Sequence, residues 1–463
     1  MTAPLIWVGF PILVGTILFP LRHWRTTTTI IGTLTALFLA GVAWRYPIGE
    51  VSILGPWAFT IKEQVNFAGL QMILSQEDSS MLWMIFIAVA FFLAGASAAG
   101  VLRRFVPLGL ILAGLMSAVL AIEPFYYGAL IIAAIAVFCT LLLVPFGQDI
   151  NTGVLRFLIV QILGVQFVLF SGKLIAEVAS ASDNPTGATR AVLIFGIGFI
   201  FLFAVFPLYV WIPRILENSY PYSAVFVFSM SFGINTIFFL EFLTRIPWLP
   251  GFVDISNVLR FVGTLLVASG GVWAVFQKHL GRILGYAIVI EVGYALLSIS
   301  IADGGLYSAM LAPRLLALAI WGMGLSVMRS YSPDLRFRAV QGIVRQYPVA
   351  GAGILLAQFS LSGLPLLAGF PILLELWQKL SLVSVSAAVW TFLGSSGLAA
   401  AGLRSFAVLM MGPENLPWNG KQSISSQIFL VIGILGLLTL GLFPQWFSPF
   451  FSELAGSFGF TVP

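Results

Sequence analysis

Two charged residues lie deep inside apolar segments, and they are the first candidates for chemistry in this chain. Glu291 lies in IVIEVGYALL and Arg314 lies in LAPRLLALAI. An unpaired carboxylate in apolar surroundings is costly, so Glu291 should be either neutral or paired. Arginine keeps its proton under almost all conditions, which makes Arg314 a poor proton donor. We predict a Glu291–Arg314 ion pair. The alternative is that Arg314 binds backbone carbonyls at a helix break.

Two further acid–base pairs have a spacing that places both side chains on one helix face. Glu241 and Arg245 are four residues apart, as are Glu375 and Lys379, and residues four apart are neighbours on a helix surface. We expect ion pairs at the membrane interface rather than ion sites.

Several amides are expected inside the bundle, where we predict bonds across helices, the alternative being that they hold water. These amides are Gln161, Gln166, Asn235 and Gln358. The candidates for an ion pathway are Glu291, Arg314, Glu241, Asn235 and Gln358. For Glu291 the competing interpretation is a polar contact that only joins two helices.

Other kinds of site find no support. The single cysteine, Cys139, excludes an internal disulfide and a cysteine-based metal site. His23 and His279 lie in loops without metal-ligand spacing, and no glycine string follows a strand as in nucleotide-binding motifs. The net charge of +5 is spread over loops, which argues against a nucleic-acid partner. We expect no cofactor bound by this chain and no enzyme that is active alone.

The elements that must position these residues are membrane helices. Apolar residues make up 60% of the 463 residues and charged residues only 8%, whereas soluble domains carry about 25% charged residues. A spanning helix needs about 20 mostly apolar residues, and lipid favours helices because each satisfies its own backbone. The predicted fold class is an all-α polytopic membrane protein with about fourteen spanning helices. The apolar runs are 4–21, 29–45, 80–102, 105–122, 124–146, 153–179, 189–213, 222–244, 256–277, 280–301, 304–328, 345–378, 383–410 and 425–446.

Two of these runs should contain broken helices. Pro207 interrupts the run 189–213, and Gly363 and Pro365 interrupt the run 345–378. Each break falls in the fourth helix of a block of five, and such symmetry suggests inverted repeats. The predicted organisation is one membrane domain over 1–463. Its predicted parts are 1–122 with an external hairpin-like loop at 49–79, a first repeat at 105–244, a second repeat at 256–410, and a last helix with an interfacial tail at 425–463.

The distribution of Lys and Arg predicts the topology. Loops after odd-numbered helices carry more of these residues than loops after even-numbered ones, so both termini should face away from the cytoplasm. The segment 49–79 would then lie outside, with two or three short strands. The N-terminus lacks the features of a cleaved signal peptide and is expected to be the first retained helix.

Three stretches resemble one protein family, the antiporter-like subunits of respiratory complex I. Mrp-type antiporters and membrane-bound hydrogenases contain subunits of the same family. They are FPLYVWIPRILENSYPYSAV (206–225), FQKHLGRILGYAIVIEVGYALLSI (276–299) and FSLSGLPLLAGFP (359–371). Their order and spacing agree with the family, and SLSGLPLLAGF is the most specific. The resemblance implies a fourteen-helix fold with two inverted five-helix repeats, beside sister subunits of a larger membrane arm.

The departures from the family concern its proton carriers. The resemblance implies a Glu on the fifth helix, Lys residues on the seventh, eighth and eleventh, and Lys or Glu on the twelfth. Here, 124–146, 191–212 and 222–240 contain no Asp, Glu, Lys or Arg. Glu291 stands where the family often has His. The positions that align with the carriers are Ala129, Leu130 or Ile131, then Leu202, Phe232, Leu318 and Leu373.

These departures predict a subunit whose proton channel has degenerated and which spaces, braces or seals a complex I-type membrane arm. We expect it in the bacterial plasma membrane, in contact with the bilayer and with other membrane subunits of an NADH:quinone oxidoreductase-like assembly. Two alternatives stay open. One is an active proton or cation route through Glu291, and the other is a scaffold in another electron-transfer complex.

Overall fold

The computed structural model describes residues 2–54, 57–67, 69–144, 151–180, 185–246, 248–249, 254–412 and 420–447, and these are mainly helical. The helices are α1 Phe10–Leu18, α2 Arg25–Arg45, α3 Ser79–Gly95, α4 Phe105–Ala121, α5 Gly128–Leu143, α6 Thr152–Ser180, α7 Pro185–Leu202, α8 Trp211–Asn218, α9 Pro221–Arg245, α10 Ile255–Phe276, α11 Leu280–Ser300, α12 Gly304–Tyr331, α13 Pro348–Leu361, α14 Gly369–Val383, α15 Val385–Met410 and α16 Ile424–Leu442.

Many of these helices can cross a membrane. Within the described ranges, ten are long and apolar enough to do so, and four shorter apolar helices accompany them. The prediction of a polytopic helical membrane protein is therefore confirmed. The count of fourteen spans and the two inverted repeats stay predictions.

Both predicted helix breaks are present. The run 189–213 divides into α7 and α8, and the connecting segment contains Pro207. The run 345–378 divides into α13 and α14, with Gly363 in the left-handed region at φ +79°. Proline has no backbone N–H to continue a helix, and glycine enters the left-handed region without steric cost.

The segment between α2 and α3 forms more strands than predicted. The strands are β1 Val51–Leu54, β2 Trp57–Thr60, β3 Gln64–Phe67 and β4 Leu70–Ile73, followed after α4 by β5 Ile122–Glu123. Strands β1 and β2 form one antiparallel hairpin, and β3 and β4 form another. The expectation of two or three strands was too low, because all four segments pair with a neighbour over four residues each. Strand β4 also pairs with β5, which ties this segment to the α4–α5 connection.

The centre of the bundle is formed by α9, α11 and α12, whose side chains are mostly buried. By contrast, α16 exposes most of its surface. The tail predicted for the interface begins with a short 3₁₀ turn, Pro444–Trp446, and residues 448–463 lie outside the described part of the chain.

Helices α10 and α15 cross at unusually close range. A Cβ atom built at Gly271 would collide with the backbone carbonyl of Gly394, and one at Gly397 would lie 2.6 Å from the Gly271 carbonyl oxygen. Small residues allow membrane helices to approach until their backbones touch. The crossing therefore depends on these three glycines.

We predict that Gly271→Ala lowers the thermal unfolding midpoint of the purified protein, because the added methyl group meets backbone that must shift. Overpacking of this kind costs about 1–3 kcal/mol. Gly196→Ala on α7 is the matched control, since its Cβ would have no neighbour within 4 Å. An unchanged midpoint for Gly271→Ala, measured by scanning fluorimetry in detergent, would contradict the close crossing.

Candidate functional site

The predicted Glu291–Arg314 ion pair is present at the centre of the bundle. Arg314 on α12 donates from Nη1 to Oε2 of Glu291 on α11. The side chains are only 12% and 7% exposed for Glu291 and Arg314, respectively. The guanidinium also lies 4.4 Å from the ring centroid of Tyr294. The alternative, in which Arg314 binds carbonyls at a helix break, is not what the structure shows.

A cavity of about 100 Å³ adjoins this pair, between α9, α11 and α12. Four polar atoms at its walls have no hydrogen-bond partner: Glu291 Oε1, Arg314 Nε and Nη2, and Ser229 Oγ. A water molecule needs at least about 10–15 Å³ and two or more polar partners. The cavity therefore has both the room and the partners for a few ordered waters.

The other walls of this cavity are apolar where proton carriers were expected. Phe232 from α9 and Leu318 from α12 both line it, and both are buried. Neither side chain can gain or lose a proton. The pair Glu291–Arg314 thus provides the acid and the base at these walls, beside the phenol of Tyr307.

The remaining aligned positions are mainly packing positions. Leu202 and Leu373 are fully buried. A Cβ on Gly164 would lie 2.9 Å from the Leu202 side chain, and one on Gly363 would lie 2.8 Å from that of Leu373. Each leucine therefore lies directly against a glycine of its surroundings.

The three residues proposed for the fifth-helix position differ in exposure. Ala129 is buried, Ile131 is half-buried, and Leu130 is 52% exposed on the outer surface of α5. Only Ala129 faces the interior fully, so it is the candidate among the three that could correspond to a buried carrier.

Two predicted amides satisfy the backbone at the first helix break. Asn235 Nδ2 donates to the Leu202 carbonyl at 3.0 Å, and Gln161 Nε2 donates to the same oxygen at 3.2 Å. Asn235 also donates to Gln161 Oε1 at 3.4 Å. The amides therefore bind the carbonyl at the carboxyl end of α7. Gln166 was expected to be buried but is exposed; five residues rotate it by about 140° from Gln161 on α6.

The second break is satisfied by a similar set of contacts. Ser360 Oγ accepts from the backbone N–H of Gly369 at 3.1 Å, and Gln358 Nε2 lies 3.5 Å from the Leu398 carbonyl. Gln358 Oε1 is buried without a partner. This polar set joins α13, α14 and α15 rather than forming a continuous path.

The two acid–base pairs that are spaced four residues apart are present. The base of each pair also binds a second acid that the sequence pattern did not reveal. Glu241 accepts from Arg245 at 2.5 Å, and Arg245 also donates to Glu123. Lys379 donates to Glu375 at 2.5 Å and also to Asp303. Glu123 and Asp303 lie far from these partners in sequence, so only the tertiary fold could show the contacts.

Asp303 both caps α12 and binds Lys379. Its carboxylate accepts from the Leu306 backbone N–H at 2.9 Å. Partial burial raises the pKa of Asp303, but the hydrogen bonds from Lys379 and Leu306 and the lysine charge outweigh this effect and lower it overall.

Among the described residues, no group of three or more His, Cys, Asp or Glu could hold a metal ion.

The polar wall residue Ser229 and the aromatic neighbour Tyr294 were not identified from sequence. Both lie in apolar helices, and their spacing carries no distinguishing signal.

We predict an asymmetry between single substitutions at the central pair. Glu291→Leu leaves Arg314 charged and unpaired, which should cost about 3–5 kcal/mol, because arginine does not release its proton. Arg314→Met should cost less, since the remaining carboxyl can take up a proton. The double variant Glu291→Leu/Arg314→Met should recover most of the loss in thermal stability. Additive losses in this double-mutant cycle would contradict a direct pair.

A pH-dependent contribution is predicted for Asp303. Because its folded-state pKa is lowered, its stabilisation is present above the unfolded value of about 3.9 and is lost as the pH falls through the folded value. Asp303→Asn keeps a helix-capping side chain but removes the charge. At about neutral pH the thermal midpoint of Asp303→Asn should lie below that of wild type. In acid the two midpoints should converge. Glu375→Gln, on the same lysine but 48% exposed, should have little effect, whereas an equal loss from both variants would refute the assignment to Asp303.

Known proteins are similar to this chain in part of its sequence and in its fold. The chain is 29% identical over 213 residues to NAD(P)H-quinone oxidoreductase subunit 5, chloroplastic, of Anthoceros angustus, which covers 44% of this chain and 28% of that protein. It is 25% identical over 222 residues to NADH-quinone oxidoreductase subunit N of Rickettsia bellii, with 45% and 48% covered. The chain thus spans less than half the length of these relatives.

The fold is similar to that of chains in solved membrane complexes. The TM-score is 0.75 with a chain of respiratory complex I from Thermus thermophilus with bound NADH, at 20% identity over 98% of this chain and 99% of that one. It is 0.80 with a chain of the Mrp complex from Dietzia sp. DQ12-45-1b, at 15% identity over 98% and 96%. Residues 157–400, which are 244 of the 463, match the family described as NADH:quinone oxidoreductase/Mrp antiporter, TM. The sequence resemblance is therefore confirmed, and the chain belongs to this family.

Proposed function

We propose that this chain is an antiporter-like membrane-arm subunit of a complex I-type assembly and that its own proton channel is degenerate. Its role is to space, brace or seal the membrane arm. Electron-transfer cofactors and quinone would bind to sister subunits, with none held by this chain. The assembly would lie in the bacterial plasma membrane, with both termini of this chain on the non-cytoplasmic side.

The observation that carries this proposal is the apolar character of the aligned carrier positions. Leu202 and Leu373 pack against Gly164 and Gly363, so they fill space that a charged group would need for solvation. Phe232 and Leu318 give the central cavity apolar walls. A leucine or phenylalanine side chain has no exchangeable proton, so it can neither accept nor pass one on in a proton relay.

The outer surface supports contact with lipid and with neighbouring subunits. On the two last described helices, α15 and α16, many large apolar side chains are more than half exposed. A large apolar surface is typical of membrane or protein interfaces. Examples are Val385, Leu403, Ile424 and Ile432.

A second candidate function is an active route that passes through Glu291. Its support is the central cavity, where Glu291 Oε1 and two Arg314 nitrogens lack partners. A third candidate is a scaffold in another electron-transfer complex. The fold resembles a chain of the membrane-bound sulfane sulfur reductase, an archaeal respiratory membrane complex, with a TM-score of 0.81 at 15% identity over 98% of this chain and 97% of that one. The subunits that copurify with this chain would distinguish a complex I-type assembly from another electron-transfer complex.

The test is the number of protons pumped per electron pair by the reconstituted complex. We expect Glu291→Leu/Arg314→Met to leave this ratio unchanged, because the double variant removes both central ionisable groups without leaving an unpaired charge. Single variants Glu291→Gln and Arg314→Ala should give the same ratio in whatever complex assembles. A sister subunit with a buried lysine replaced is the positive control and should lower the ratio.

Assembly has to be measured separately from pumping. Subunit composition and the electron-transfer rate report whether each variant complex is intact. A lower proton ratio in an intact double-variant complex would overturn the degenerate-channel proposal and favour the route through Glu291.

A further inference from the structure

A second cavity lies on the outer surface between α10 and α15 and shares no lining residue with the central cavity. Its volume is about 500 Å³, within the range of about 300–1,000 Å³ found for small-molecule sites. One wall is a single face of α10, because its members follow the three- and four-residue spacing of a helix face. These members are Asn257, Arg260, Phe261, Thr264, Leu265 and Ala268.

The groove is closed at its inner end by the glycine crossing of α10 and α15. Both helices begin at the same end of the bundle, since Ser384–Trp390 of α15 lines the groove with the first half of α10 and Gly394 meets Gly271 further along both helices. The crossing at Gly271 and Gly394 lies just beyond Ala268 and Trp390 on the two helices. The lining residues of the groove extend from Asn257 to Ala268, about 16 Å along α10 at 1.5 Å per residue, and end one turn before this contact.

The chemistry of the walls changes along this length. Arg260 lies near the outer end with Ser384 and Ser386 of α15, and the inner end is formed by Leu265, Ala268 and Trp390. The opening is flanked by Phe261, which is 70% exposed. A polar, cationic outer end and an apolar inner end match an amphiphile that lies along the membrane normal.

The guanidinium of Arg260 retains capacity for an anion. Its Nη1 donates to Asn257 Oδ1 at 2.6 Å, and its Nε is buried without a partner. Within the described ranges Arg260 forms no ion pair. The nearest acid along α10 is Asp254, whose carboxylate accepts from Asn257. The Thr264 hydroxyl, one turn deeper, is also buried without a partner.

We propose that this groove binds an anionic phospholipid, with the headgroup phosphate at Arg260 and an acyl chain along Leu265, Ala268 and Trp390. Guanidinium and hydroxyl groups are suitable donors to phosphate oxygens. The apolar inner end of the groove can bury an acyl chain, whereas a free phosphate would leave this end empty. This site does not depend on the proposed function, since it involves neither the central pair nor the aligned carrier positions.

The test uses the full chain, purified in mild detergent, with dioleoyl phosphatidylglycerol or dioleoyl phosphatidylcholine added and bound lipid counted by native mass spectrometry. Wild type should bind phosphatidylglycerol in preference. Arg260→Gln should weaken that binding about tenfold, as expected for the loss of a charge-assisted hydrogen bond. Arg190→Gln, at an exposed arginine on α7 outside the groove, should leave it unchanged.

Two further arms separate a lipid from other occupants. Ala268→Trp keeps the arginine but fills the apolar end, so it should also weaken phosphatidylglycerol binding. If Arg260→Gln does not fold, the Ala268→Trp variant alone tests whether the lipid binds in this groove. Glycerol phosphate, which has the headgroup charge without the chains, should not displace the lipid. Equal binding of the two lipids by wild type, unchanged binding by Ala268→Trp or by a folded Arg260→Gln, or displacement by glycerol phosphate would each overturn the proposal.

Discussion

Every backbone polar group inside an apolar bundle needs a partner, and this requirement is most demanding where a helix stops in the middle. At the end of α7, Asn235 and Gln161 both donate to the Leu202 carbonyl. At the start of α14, the Ser360 hydroxyl accepts from the Gly369 N–H. These few contacts allow two interrupted helices to lie within the bundle, and the surrounding helices pack around them.

Much of this architecture could be predicted from sequence because its causes are local. Apolar length indicates a membrane helix, and the breaks have local causes in the missing N–H of Pro207 and the left-handed backbone of Gly363. The Glu291–Arg314 pair was predictable for another reason, since each charge lies in an apolar helix that offers few alternatives. Partners such as Asp303 for Lys379 depend on which helix ends meet, and no local pattern encodes that. The exposure of Gln166 likewise required the orientation of α6.

The chain shares a fold with known proteins, and the fold alone does not decide the chemistry of its candidate site. The family match over residues 157–400 includes Leu202, Phe232, Leu318 and Leu373, and the fold similarity covers 98% of the chain. At Leu202 and Leu373 the side chains pack against glycines, which stabilises the breaks by burial instead of by charge. Around Glu291 and Arg314 a largely apolar cavity remains, with unpartnered polar atoms of these two residues and of Ser229 at its walls. The number of ionisable groups, rather than the backbone, is therefore what separates the proposed functions.

The permanence of the Arg314 charge has a consequence for leakage under a membrane potential. Paired with an ionised Glu291, the centre of the bundle is electrically neutral. If the carboxyl accepts a proton, the guanidinium keeps its own, and the cavity becomes positive. A fixed positive charge repels the next cation, as in pores that exclude protons. The first proton to arrive would thus raise the barrier for the second.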